Sequence, residues 1–141
     1  MEYIKWKGLP WEYAQKAYDE QHYIEAIQIM HGFLENQLQE ILMLVGATKF
    51  DTKIEESWNV VNQISFSNCL KILFVIGQLN KKEYNDLIKL NSTRNKLVHQ
   101  MFFEPYDKIS PGFPKKKFDL VFKESIEAVK LVTVKLNNLI D

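Results

Sequence analysis

Arg94 is the one arginine among eighteen cationic residues; the other seventeen are lysines. It stands in the segment LNSTRNKLVH, residues 90–99, directly before Asn95 and five residues before His99. A guanidinium stays charged, is planar and grips phosphate or carboxylate through two parallel hydrogen bonds, whereas an ammonium is a hydrated point charge. An imidazole exchanges protons near neutral pH and suits general acid–base work. An amide beside them can orient either group. Arg94, Asn95 and His99 are therefore candidates for chemistry on a phosphate ester. The competing structural explanation pairs Arg94 with a core-facing acid such as Glu35 or Glu40. His99 would then only cap the helix or snorkel to solvent.

The helix carrying these residues opens on Asn80-Lys-Lys-Glu83, a capping box. It should run to about Met101, ahead of Pro105. The remaining elements also read as helix, since five glycines, four prolines and few alternating segments leave little room for a sheet. Pro10 suits a first helical turn, followed by Trp11, Ala14 and Tyr18. Ile24, Ile27, Met30, Leu34, Leu38, Ile41 and Val45 recur at helical intervals, with Gly46 as a natural stop. A second capping box, Thr52 to Glu55, should start a shorter helix ending near Val61. Residues 66–79 are apolar nearly all round, which predicts the most buried helix. Residues 102–118 hold three prolines and a glycine and read as the one long irregular connection, after which Asp119 caps a final helix. The expected fold class is all-α: one domain over 1–141, an up-and-down bundle of four main helices plus short extra helices.

On a helical projection Leu87, Leu90, Leu97, Val98 and Met101 form one apolar stripe with Arg94 near its centre. A charge there is costly unless it is paired or reaches a ligand. Asn91, Asn95 and His99 form a polar ridge to one side. Five residues of α-helix turn His99 about 140° from Arg94 and carry it about 7.5 Å along the axis. The two converge poorly within one chain, but copies from two chains related by a two-fold axis can line one cleft.

Arg94-Asn-Lys-Leu-Val-His99 resembles the R-(polar)-x-x-x-H signature of HEPN domains, small helical bundles found in prokaryotic toxin and antiviral defence systems. The polar second residue, the Leu-Val before the histidine and the place near the end of the penultimate long helix all agree; the specific match covers about ten residues. The resemblance implies a homodimeric, metal-independent endoribonuclease acting on an RNA substrate, with both copies of the motif in one composite site. His99 would move protons at the ribose 2′-hydroxyl and the leaving 5′-oxygen. Arg94 would stabilise charge on the phosphorus, and Asn95 would orient imidazole or phosphate. A toxin would bring an antitoxin or a defence-system partner. One branch, paired with a nucleotidyltransferase antitoxin, carries a tyrosine two residues after the histidine; Met101 stands there instead, so modification at that position is not expected. Other members have lost activity and serve as dimerisation, nucleotide-binding or protein-binding modules, which is the alternative function.

Other signals are weaker. Lys115, Lys116 and Lys117, beside Phe113 and Phe118, lie in the expected connection. If that connection folds over the dimer cleft, they would hold an RNA backbone while Phe102, Phe103 and Tyr106 stack bases. His31 falls on a core stripe and reads as a satisfied core histidine. His22, His31 and His99 lack ligand spacing, so no metal and no cofactor is expected. Net charge is zero, so any polyanion site must be local. The lone Cys69 reads as a reduced, buried thiol. With no leader-like start and no apolar run near twenty residues, the expectation is a cytoplasmic protein without a membrane segment.

Overall fold

The computed structural model describes residues 1–5, 7–103 and 113–140, and the side chains of 101–103 fall outside it. The described residues form six helices: α1 (Pro10–Asp19), α2 (Tyr23–Lys49), α3 (Ile54–Val61), α4 (Phe66–Val75), α5 (Lys81–Phe103) and α6 (Lys115–Ile140). No strand occurs among them. None of the helices is long and apolar enough to cross a membrane.

The central element is α2, which packs against α1, α3, α4 and α6, while α5 packs chiefly against α4 and α6. Its buried row is the predicted one apart from Ile24, which is half-buried: Ile27, Met30, Leu34, Leu38, Ile41 and Val45 are at most 2% exposed. Each such side chain contributes roughly 1.5–3 kcal/mol by leaving water. The same helix also ties its neighbours with polar side chains. Gln37 donates to Thr133 of α6 at 2.9 Å. Gln39 donates to the carbonyls of Asn62 and Ile64 between α3 and α4. Glu35 accepts the backbone N–H of Phe66, the first residue of α4.

Several local expectations hold. Pro10 occupies the first turn of α1, where Glu12 reaches back to the N–H of Leu9. The box at Asn80 is reciprocal, with Asn80 N–H to Glu83 at 2.9 Å and Glu83 N–H to the Asn80 side chain at 2.8 Å.

Others are corrected. Gly46 does not stop α2, which continues to Lys49. A Cβ at this position would lie 2.7 Å from Thr52 Oγ1, so the glycine makes room for the returning chain, whose Thr52 N–H binds the Gly46 carbonyl. Thr52 is thereby engaged elsewhere; Lys53 is the N-cap of α3, without a side-chain cap, and Thr52 accepts from Ser57 instead. Residues 66–79 are not the most buried helix. α4 ends at Val75, Gly77 takes φ +79° beyond it, and Ile72, Val75 and Ile76 are exposed at 39%, 80% and 37%. The last helix begins four residues before Asp119, and Asp119 instead accepts from Tyr18 and pairs with Lys115.

Candidate active site where α5 reaches α2 and α4

Arg94 occupies the apolar side of α5, half-buried as its projection requires. Its partner is neither of the expected acids. Nη2 lies 2.7 Å from Nε2 of His31 on α2, and Arg94 Nε is buried without a hydrogen-bond partner among the described residues. A guanidinium can only donate, so Nε2 must accept. That fixes a neutral imidazole with its proton on Nδ1. The ring is 17% exposed and stacks on Phe66 of α4, centroids 4.6 Å apart. Burial, reinforced by the Arg94 charge, pushes the His31 pKa down from 6.5 to about 4.

Glu35, one turn along α2, brings a carboxylate oxygen to 3.8 Å from His31 Nε2. With the ring neutral this approach is not an ion pair. The carboxylate nevertheless fills the neighbourhood with negative charge. Burial lowers the Arg94 pKa and Glu35 opposes that shift. The thiol of Cys69 on α4 is raised to about 11, by burial first and then by Glu35. Cys69 therefore stays a thiol, its Sγ 3.7 Å from the Ile64 carbonyl. The cluster thus contains one positive guanidinium, one negative carboxylate and one neutral acceptor.

Asn95 and His99 are exposed on α5, on the ridge displaced from Arg94. One chain therefore brings Arg94 together with His31 and Glu35, not with His99. The lysine triplet forms the first turn of α6 rather than a loop. Lys115 is bound to Asp119 at 2.9 Å and lies over the rings of Tyr18 and Tyr23. Lys117 shares a shallow groove of about 300 Å³ with Thr93, Lys96 and Gln100 of α5. Lys116 is exposed. Phe102, Phe103 and Tyr106, the expected base-stacking residues, lie outside the described side chains. No group of three histidine, cysteine or acidic residues among the described residues has the geometry of a metal site.

A larger groove of about 940 Å³ between α1 and α6 is lined by Trp11, Met30, Ile126, Val129 and Val134. It offers no imidazole, thiol or guanidinium; its charged lining is Glu12, Lys16, Asp19, Glu20 and Lys130. The role of His31 is the feature that sequence reasoning missed. The available signal was a histidine on one core stripe and an arginine on another, two polar groups that each needed a partner.

The chain matches no protein-family model, no curated protein and no solved structure.

Proposed function

We propose that the chain is a metal-independent endoribonuclease of the HEPN type, acting as a homodimer and serving as a toxin or defence effector in the cytoplasm. The observation that carries this proposal is the single arginine, half-buried on α5 and held by a neutral imidazole, five residues before an exposed histidine on the same helix. A guanidinium fixed in that way is preorganised for charge developing on phosphorus. An exposed imidazole is accessible to a hydroxyl. The exposed Ile72 and Val75 on α4, the helix beside α5, with Ile76 directly after it, are apolar surface of the kind a second copy would cover.

In the proposed reaction His99 takes the proton of a ribose 2′-hydroxyl. The 2′-oxygen attacks phosphorus, and the bond from phosphorus to the 5′-oxygen breaks. The partner subunit's His99 delivers a proton to that oxygen, giving a 2′,3′-cyclic phosphate and a 5′-hydroxyl. Arg94 carries the negative charge that accumulates on the phosphoryl oxygens, and Asn95 orients imidazole or phosphate. Lys116 and Lys117 hold the strand electrostatically, whereas Lys115 is engaged by Asp119 and two tyrosine rings.

The test is cleavage of total tRNA and of a defined single strand in excess chelator, with His99→Ala in parallel. Chelator-resistant cleavage that disappears in the variant is the expected result. Intact RNA after incubation with well-folded wild-type dimer would overturn the proposal in favour of a catalytically silent dimerisation or binding module.

A further inference from the structure

We propose that His31 is a positioning residue for this site: its neutral Nε2 holds one edge of the Arg94 guanidinium, and protonation of His31 releases Arg94 and turns the site off in acid. The inference rests on the nuclease reading for its effect on catalysis. The hold itself is independent of that reading.

The geometry has three parts. First, α5 packs chiefly against α4 and α6, and the 2.7 Å contact between Arg94 Nη2 and His31 Nε2 spans from α5 to α2. A flexible arginine arm would otherwise sample many rotamers, and fixing it beforehand removes that entropy from the reaction step. Second, the imidazole cannot rotate away freely, because it is stacked on Phe66 at 4.6 Å and 23°. Third, an alternative partner stands ready. Glu35 Oε2 is 3.8 Å from the same Nε2, at the i, i+4 spacing that favours contact along a helix. When His31 gains a proton, Nε2 becomes a donor and can no longer accept from Arg94. Two cations then face each other at hydrogen-bond distance, while Glu35 attracts the new imidazolium.

The charged and titratable groups around His31 are Arg94 from α5, Glu35 from α2 and, beside Glu35, Cys69 from α4. Cys69 stays protonated throughout, its pKa raised to about 11. Arg94 stays charged, so the proton that loosens its hold is the one His31 gains as pH falls towards 4. The depressed pKa of His31, about 4, keeps the hold intact at neutral pH.

The sequence supplies an unusual probe. With one arginine in the chain, the arginine Nη–Hη region of a ¹H–¹⁵N spectrum reports Arg94 alone, at the atom that His31 holds. At pH 7 the wild type should give sharp, slowly exchanging signals that shift and broaden as pH falls through the range from about 5 to 3. His31→Gln, which keeps an acceptor but cannot titrate there, should keep the signal and lose the acid transition. His31→Leu should lose the exchange protection at pH 7. In the cleavage assay His31→Leu should lower kcat by about 10- to 100-fold with KM changed less than threefold, and His31→Gln should recover to within a few-fold of wild type. A protected, unshifted Arg94 signal in His31→Leu, or wild-type kcat in that variant, would overturn the proposal. Wild-type spectra that behave as described together with wild-type protein that cleaves no RNA would leave the hold standing and remove only the nuclease reading.

Discussion

The two cationic regions of this molecule are built on opposite terms. At the contact between α5 and α2 a single guanidinium is half-buried and fixed by His31, whose ring stacks on Phe66 and lies beside Glu35. At the start of α6 three lysines stand on an exposed helical turn, one of them engaged by Asp119 and the rings of Tyr18 and Tyr23. The lysine turn has more charge, but water and salt screen it. The arginine has one charge whose direction is set before any ligand arrives. Charge number governs loose attraction of a polyanion; a fixed orientation governs what happens to one phosphate.

Breaking the arginine side should therefore cost far more than breaking the lysine side. The largest effect is expected for His99→Ala, with cleavage falling by about a thousandfold or more. Arg94→Lys should follow with a loss of about a hundredfold, since an ammonium keeps the charge but not the planar fork. Arg94→Ala should add a stability loss of about 1–2 kcal/mol in chemical denaturation by leaving the acceptor of His31 unpaired.

A third experiment sharpens the contrast through pH. The folded-state pKa of His31 lies near 4, below its unfolded value of 6.5. Between those values the unfolded chain binds the extra proton, so stability falls as pH drops from about 6.5 towards 4. The contribution from this one group is at most about 3 kcal/mol, and His31→Gln should flatten that part of the stability–pH curve. The smallest effects belong to α6. Lys116→Ala with Lys117→Ala should weaken RNA binding less than tenfold and reduce the dependence of log affinity on log salt by about 1 to 2. Lys115→Ala should leave cleavage alone and shift stability by under about 1 kcal/mol.

What the sequence disclosed follows the range of the physics involved. The helices, the Asn80–Glu83 box and the core row of α2 depend on neighbours within a turn or two, and they were legible. The placement of Arg94 on an apolar stripe was legible for the same reason. Its partner was not, because His31 and Arg94 are 63 residues apart and only packing of the bundle joins them. The misplacements have the same origin. Gly46 looked like a terminator until Thr52 returned over it. Thr52 looked like a cap until it was engaged by Gly46 and Ser57. The apolar run 66–79 implied full burial, but a helix packed against α2 and α5 keeps an outer face, and Ile72, Val75 and Ile76 occupy it. The prolines before Lys115–Lys117 signal a loop, although Pro114 is well suited to lead into a helix.

The most direct test of the central claim is complementation between two inactive variants on a defined single-stranded RNA in excess chelator. Arg94→Ala and His99→Ala should each leave the RNA intact. Their equimolar mixture, allowed to exchange subunits, should recover a small fraction of wild-type cleavage and leave 2′,3′-cyclic phosphate ends, because one subunit supplies the arginine and the other the histidine, with water protonating the leaving oxygen in place of the second imidazole. Folded dimers that exchange subunits and still cleave nothing, beside a wild type that also leaves the RNA whole, would contradict the account.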